Sequence, residues 1–243
     1  MQISGKTAVI TGGGTGIGAA CAKSLADAGC RVVVAGRREE TLLEAAGHVA
    51  GGNSILTRVC DVADRESVFD LFRWAGDELG KVDILVQSAG INVPQRSMAE
   101  MSPEDWDRVL QVNATGAYNC MYAVLPQMRA QKDGLIVNIS SIAGIRAGQL
   151  GGVAYTASKF AMSALGLTVA GEEIKNGIRV TNIYPGEVET PILEHRPVPV
   201  TAEHRARILQ PEDVAAAVLM VACLPPRANV SELVIKPTSQ AFS

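Results

Sequence analysis

Tyr155 and Lys159 stand four residues apart, a spacing that places both side chains on one face if the segment is helical. A free tyrosine has a pKa near ~10 and is a poor base at neutral pH. A nearby ammonium favours the phenolate, so Lys159 is expected to lower the pKa of Tyr155. Ser141 precedes Tyr155 by 14 residues and follows an apolar run. These three residues predict a site where a tyrosine gives or takes a hydroxyl proton during a redox step.

A glycine-rich segment near the N-terminus, Thr11–Gly18, predicts a phosphate-binding turn. Glycine permits positive φ and close backbone approach, and a helix that starts there offers free N–H groups and a partial positive charge. The residues expected to contact a bound dinucleotide in this turn are Gly12, Gly14, Thr15, Gly16, Ile17 and Gly18. The segment has no Gly-Lys-Ser/Thr, so it is not a P-loop.

The end of the second apolar run indicates which dinucleotide to expect. An acidic residue there would bond the adenosine ribose hydroxyls and repel a 2′-phosphate. This chain has Gly36 instead, followed by Arg37 and Arg38. A guanidinium fork suits a phosphate dianion, so we predict NADP(H) as the cofactor and keep NAD(H) as the alternative.

Composition argues against several other classes of protein. The chain has 243 residues, a net charge of −3 and no basic stripe, so nucleic acid is not an expected partner. No apolar run reaches the ~18 residues of a membrane span, and the N-terminus lacks the layout of a signal peptide. The five cysteines are scattered without a CxxC pair, which predicts reduced thiols, no metal site and a cytoplasmic protein.

Short runs rich in Val and Ile alternate with helical patterns along the chain. The runs lie at Thr7–Thr11, Arg31–Ala35, Ile55–Val59, Ile84–Val86, Leu135–Ile139, Arg179–Tyr184 and Glu232–Ile235. Runs that are apolar throughout suit parallel strands buried on both faces. We therefore predict an α/β fold in which residues 1–243 form a single domain. Its core is a Rossmann-type, doubly wound parallel sheet of about seven strands with helices on both faces.

Local signals predict where helices begin and end. The helical pattern Ile17–Ala28 ends at Gly29, a typical C-terminal glycine, while Ser102 and Gln210 each precede a proline and early acids that start a helix. Residues 187–207 contain three prolines and follow the sixth strand, so they should begin as loop. Ligands in such sheets bind beyond the strand ends, which makes 187–207 a candidate substrate lid. An ordinary surface connection is the alternative.

Motifs along nearly the whole chain resemble those of the short-chain dehydrogenase/reductase family, in the family's order. They are Thr11–Gly18, Asp61-Val62, Gln87-Ser88-Ala89-Gly90, Asn113, Ser140–Gly144, Tyr155–Lys159, Pro185-Gly186 and Thr190. The resemblance implies cofactor contacts from Asp61, Val62, Ser88, Ala89, Gly90, Tyr155, Lys159, Pro185, Gly186, Val188 and Thr190.

The resemblance also implies roles for four catalytic residues. Tyr155 would be the general acid in reduction and the base in oxidation, and Ser141 would donate to the substrate oxygen. Lys159 would lower the Tyr155 pKa and bond the nicotinamide ribose. Asn113 would hold a water that relays protons between Lys159 and solvent.

The chain departs from the family pattern at three places. Gln87 and Ser88 replace two asparagines, so the hydrogen bonds of those amides in the sheet must be made otherwise. The interval from Ser141 to Tyr155 is one residue longer than expected, which implies a small bulge within Ile145–Gly152. The C-terminal segment is more similar to the branch that acts on 3-hydroxy acids such as serine.

Several residues are candidates for substrate contact: Arg146, Gln149, Glu187 and His195. Arg146, Arg196, Arg205 and Arg207 favour an acidic substrate, although surface arginines are common. His48, His195 and His204 fit surface positions, and Trp74 and Trp106 fit packing positions.

The resulting functional prediction is an NADP(H)-dependent oxidoreductase that interconverts a carbonyl and a secondary alcohol on a small substrate. The alternatives are an NAD-dependent alcohol or 3-hydroxy acid dehydrogenase and a non-catalytic NADP-binding regulator. The family resemblance implies a homotetramer or homodimer formed through long helices near Pro103–Ala130 and Gly152–Lys175 and through the last strand.

Overall fold

A parallel β-sheet runs through the part of the chain that the computed structural model describes, residues 3–47 and 55–240. Its strands are β1 (Thr7–Thr11), β2 (Arg31–Gly36), β3 (Ile55–Val59), β4 (Ile84–Gln87), β5 (Gly134–Ile139), β6 (Ile178–Pro185) and β7 (Glu232–Ile235). The α-helices are α1 (Gly16–Asp27), α2 (Glu39–Gly47), α3 (Arg65–Leu79), α4 (Pro103–Leu110), α5 (Gly116–Gln131), α6 (Val153–Glu172), α7 (Ala202–Arg205) and α8 (Pro211–Ala222). His48, predicted as a surface residue, lies outside the described residues.

The predicted fold class is confirmed, and the strand bounds differ from prediction by at most one residue at either end. Helices cover both faces of the sheet. Val86 packs in the apolar cluster with α1 and α8, whereas its neighbour Leu85 packs in the cluster with α3 and α5. Because successive strand residues point to opposite faces and both faces are covered, the strands are apolar throughout.

The order of the strands creates the crevice that positions the site. The order is β3-β2-β1-β4-β5-β6-β7, so the chain builds one half of the sheet outward from β1 and the other half outward from β4. Thr11 at the end of β1 pairs with Gln87 at the end of β4. Connections leave these two strands in opposite directions, which opens a crevice beyond their carboxyl ends.

Side-chain amides link three neighbouring strands, β4, β5 and β6. Gln87 Nε2 donates to Asn138 Oδ1 at 3.0 Å, and Asn138 Nδ2 donates to Asn182 Oδ1 at 2.8 Å. Asn182 Nδ2 then donates to the carbonyl oxygen of Ser163 in α6 at 2.9 Å. Gln87 replaces an asparagine of the family pattern. Its side-chain amide nevertheless makes a hydrogen bond to the neighbouring strand of the sheet.

The predicted helix signals are confirmed, but one predicted helix is interrupted. The Ser102 hydroxyl caps α4 by accepting from Asp105 N at 3.1 Å, and Gln210 begins α8 with a capping box. The helix expected near Pro103–Ala130 is instead α4 and α5 joined by a π-helical turn, Gln111–Thr115. Among the described residues, no helix combines the length and apolar content needed to cross a membrane.

The segment 187–207 begins as loop, as predicted. It contains a 3₁₀ turn, Pro191–His195, and the short helix α7. The first residues of this segment pair with the backbone just before α8: Glu189 N donates to the carbonyl oxygen of Leu209 at 2.8 Å.

Candidate active site

The glycine-rich turn connects β1 to α1 and leaves an open cradle. Gly12 has a φ of +66°, and a Cβ there would lie 2.6 Å from the backbone nitrogen of Ala89. A Cβ on Gly18 would lie 2.2 Å from the carbonyl oxygen of Gly12. Neither position accepts a side chain unless the backbone moves. The tight turn thus brings the N–H groups at the start of α1 to the crevice between β1 and β4.

A cavity of about 680 Å³ lies over this turn and gathers most of the predicted cofactor residues. Those that line it are Gly12, Gly14, Thr15, Gly16, Ile17, Arg37, Arg38, Asp61, Val62, Ser88, Ala89, Gly90, Tyr155, Lys159 and Thr190. A second cavity of about 410 Å³ is lined by Pro185, Gly186 and Val188 and shares Tyr155 and Thr190 with the first. We call these the dinucleotide cavity and the substrate cavity.

The arginines after β2 fit a phosphorylated ribose. Arg37 and Arg38 are exposed and line the dinucleotide cavity. Within the described ranges, neither guanidinium forms an ion pair with a carboxylate. Gly36 leaves the end of the strand without an acid. The wall of the cavity therefore carries cations where an acid would repel a 2′-phosphate.

Ser140 and Ser141 follow β5, and their hydroxyls have different surroundings. The Ser140 hydroxyl is buried, 3.2 Å from the carbonyl oxygen of Lys159 and 3.0 Å from Ser163 Oγ. Ser141 Oγ accepts from Ala143 N at 3.1 Å and lines the substrate cavity beside Tyr155. The geometry favours Ser141 as the residue that contacts substrate, because Ser140 is used to hold β5 against α6.

Helix α6 places Tyr155 and Lys159 together at the carboxyl end of β5. Lys159 is 4% exposed, and its Nζ donates to the carbonyl oxygen of Ile139 at 2.8 Å. The same Nζ lies 5.6 Å from the centre of the Tyr155 ring. The four-residue spacing therefore does place both side chains on one face, as predicted.

Burial determines the titration of both groups. It lowers the pKa of Lys159 from the usual 10.5 to about 8. It also raises the pKa of Tyr155, because desolvation of the phenolate outweighs the opposing effects of Ser141 and Arg96. The pKa of Tyr155 is therefore raised in this structure, and the effect of Lys159 on it stays a prediction. Tyr155 is held in its protonated form at neutral pH.

Asn113 lies in the π-helical turn and is fully buried. Its Oδ1 accepts from Ile91 N at 2.8 Å, while its Nδ2 contacts the carbonyl oxygen of Ile91 and Ser158 Oγ, each at 3.0 Å. The amide thus holds the segment after β4 against α6. Its hydrogen bonds among the described residues do not include Lys159, and the proton-relay role stays a prediction.

The four predicted substrate residues lie in different places. Arg146 and Glu187 line the substrate cavity with Tyr155. His195 lines the dinucleotide cavity. Gln149 does not line either cavity; it lines a neighbouring groove.

The arginines of the segment 187–207 are engaged by nearby acids. The pairs are Arg196 with Glu187 at 2.9 Å, Arg205 with Glu189, and Arg207 with Glu203 at 2.6 Å. His204 Nε2 also contacts Glu187, at 2.7 Å. Acids of the same segment already compensate these three arginines. The arginines of this segment therefore do not by themselves argue for an acidic substrate.

Sequence reasoning did not identify Arg96, although it lines the substrate cavity. Its guanidinium donates to the carbonyl oxygens of Val93, Leu150 and His195. It lies in the loop after β4, and that position beyond a strand end was the available signal.

Comparison with known proteins agrees with the fold. A family model described as short chain dehydrogenase matches residues 6–198. An uncharacterized oxidoreductase of Staphylococcus saprophyticus subsp. saprophyticus is 34% identical over 98% of this chain and 99% of its own.

Solved structures are similar over nearly the whole chain. A metagenomic short-chain oxidoreductase in complex with NADP has a TM-score of 0.85 and 31% identity, covering 99% of this chain and 100% of that one. The closed form of serine dehydrogenase complexed with NADP+ has a TM-score of 0.89 and 29% identity, covering 98% and 97%. With a family model matched over most of its length and a relative of this similarity, the chain belongs to the short-chain dehydrogenase/reductase family of oxidoreductases.

Proposed function

We propose that the protein is an NADP(H)-dependent oxidoreductase that interconverts a carbonyl and a secondary alcohol on a small substrate. The observation that carries the proposal is the meeting of Ser141, Tyr155 and Lys159 at the junction of two cavities. Tyr155 lines both cavities, Lys159 lines the dinucleotide cavity and Ser141 lines the substrate cavity. A proton donor between a dinucleotide and a substrate oxygen is what carbonyl reduction requires.

The dinucleotide cavity supports NADP(H) as the cofactor. The glycine cradle and the start of α1 can hold a pyrophosphate, and Arg37 and Arg38 can pair with a 2′-phosphate. Two similar proteins have been solved with NADP or NADP+ bound. When bound, this cofactor supplies or accepts the hydride.

The residues of the chain handle the proton. Since Tyr155 is protonated at neutral pH, it can donate its proton to the substrate oxygen during reduction and recover one afterwards. The Lys159 ammonium, close to the ring, stabilises the phenolate left behind. Ser141 orients the substrate oxygen by hydrogen bonding, and Asn113 holds the loop that closes the site beside α6.

Replacing Tyr155 by phenylalanine tests the proposed acid. We expect Tyr155→Phe to lower kcat for carbonyl reduction by about 10²–10⁴-fold because the proton donor is removed. NADPH binding, measured by fluorescence titration, should stay within about threefold, since the ring is retained. Tyr122→Phe, at an exposed tyrosine of α5, is the matched control. Residual activity above about one tenth in Tyr155→Phe contradicts the assignment.

Reversing the charge at Arg37 tests the cofactor preference. A charge-assisted hydrogen bond contributes about 1.5–3 kcal/mol, so Arg37→Asp should raise KM for NADPH at least tenfold and leave KM for NADH equal or lower. Arg227→Asp, at an exposed arginine outside both cavities, is the control. An unmodified protein that turns over NADH as well as NADPH would favour the NAD-dependent alternative.

The lowered pKa of Lys159 predicts a pH-dependent stability. Between pH 8 and pH 10.5 the unfolded chain binds a proton at Lys159 that the folded chain does not, so folding gains stability as pH rises. The change of pKa corresponds to roughly 3 kcal/mol at most. Lys159→Met should remove this gain.

Urea unfolding of the cofactor-free protein at pH 7 and pH 10 measures this pH-dependent gain in stability. The stability of the unmodified protein relative to Lys159→Met should increase at the higher pH. Lys175→Met, which removes an exposed lysine, is the matched control. An equal difference at both pH values would show that the ammonium is not desolvated.

We also propose that the protein is a homotetramer or a homodimer. Exposed apolar side chains on α5 and α6 support contacts through these helices: Tyr118, Tyr122, Phe160 and Leu167. Light scattering should give about two or four times the 25.5 kDa of one chain. Leu167→Glu should lower that mass, whereas Leu43→Glu on α2 should not. A mass of one chain for the unmodified protein would exclude the assembly.

A further inference from the structure

The substrate cavity has an unequal balance of charge. Its described charged side chains are three arginines, Arg96, Arg146 and Arg196, and a single carboxylate, Glu187. Glu187 is already bound by Arg196 at 2.9 Å and by His204 at 2.7 Å. The carboxylate of Glu187 is therefore engaged within the segment 187–207, and it forms no ion pair with Arg96.

Arg96 is the most deeply buried of these cations. It is 7% exposed, and among the described residues no carboxylate lies within ion-pair distance of its guanidinium. Burial lowers the pKa of Arg96, and the nearby Arg196 lowers it further. An arginine nevertheless stays charged at neutral pH. A buried charge is costly without an anion, so this position favours an anionic ligand.

The hydrogen bonds of Arg96 hold its guanidinium in place and leave donors unused. Nε donates to the carbonyl oxygen of Val93 at 3.0 Å, Nη1 to Leu150 at 2.9 Å, and Nη2 to His195. A guanidinium has five N–H donors, so one remains on each terminal nitrogen. Each of these N–H groups is a donor that a carboxylate oxygen can accept from.

We infer that the substrate carries a carboxylate, and that Arg96 recognises it in the substrate cavity beside Tyr155 and Ser141. The inference rests on the proposed function, because it names the class of carbonyl or alcohol that this site takes. Arg96 and Tyr155 line the same cavity of about 410 Å³, so a carboxylate bound at Arg96 shares this space with the reacting oxygen of a small molecule.

Arg96 could either shape the cavity wall or recognise a carboxylate. The two roles predict different losses of activity when Arg96 is replaced and two substrates that differ by a carboxylate are compared. Arg96 also ties together three segments of the cavity wall, so its loss would impair every substrate if it only shaped the wall. Loss of an anion-binding group impairs the carboxylated substrate selectively. The ratio of two substrates that differ by a carboxylate therefore separates the roles.

The first experiment compares 4-oxopentanoate with pentan-2-one by NADPH oxidation. Reduction of either ketone gives a secondary alcohol: the carbonyl carbon takes the hydride and the oxygen takes a proton from Tyr155. We expect kcat/KM to be at least tenfold higher for 4-oxopentanoate, and Arg96→Met to bring the two within about threefold. Arg96→Lys should recover part of the preference, and Arg227→Met should retain all of it. Equal values in the unmodified protein, or an equal loss for both substrates in Arg96→Met, would overturn the inference.

A second experiment needs no turnover. With NADP+ present, pentanoate should raise the unfolding temperature of the unmodified protein more than pentanamide does at the same concentration. If neither ketone is reduced but pentanoate still stabilises, the proposed reaction fails and the carboxylate site stands. Equal shifts for pentanoate and pentanamide overturn the site even if both ketones are reduced. Because this comparison uses the unmodified protein, it decides the matter if Arg96→Met does not fold.

Discussion

The chain of amides that links β4, β5 and β6 to one another is the constraint on which the site depends. Gln87, Asn138 and Asn182 hydrogen-bond in sequence, and Asn182 continues the chain to the backbone of α6 at Ser163. Each of these strands is followed by a segment that lines a cavity, and α6 carries Tyr155 and Lys159. Buried side-chain amides fix the relative positions of these elements because every broken bond would leave a polar group unpaired.

Desolvation determines the chemistry of the groups that this arrangement brings together. Lys159 and Tyr155 are removed from water by the same packing, which disfavours the charged form of each. Tyr155 is therefore protonated at neutral pH, and Lys159 loses its proton more readily than a lysine in water. Transfer of a proton from Tyr155 to a neutral Lys159 is therefore unfavourable in this structure, because burial raises the pKa of the phenol and lowers the pKa of the ammonium.

The sequence predicts a structural feature well when neighbouring residues in the chain cause that feature. It predicts the feature poorly when the cause is a tertiary contact. The glycine turn, the strands and the Ser102 cap are encoded within a few consecutive residues, so pattern and spacing predict them. The π-helical turn at Gln111–Thr115 depends on Asn113 reaching Ile91 and Ser158 across the fold. The direction of the Tyr155 pKa likewise depends on tertiary burial, which no spacing of tyrosine and lysine reveals.

Arg96 shows how substrate preference can depend on a residue outside every motif. The loop after β4, the loop before α6 and the segment 187–207 meet at its guanidinium. Gly152 makes this meeting possible: it has a φ of +77°, and a Cβ there would lie 2.4 Å from Arg96 Cβ. The loop before α6 therefore packs closely against Arg96 at the point where α6 begins. A change in this loop would therefore alter both the proposed anion site and the position of Tyr155, which would couple the choice of substrate to the placement of the proposed acid.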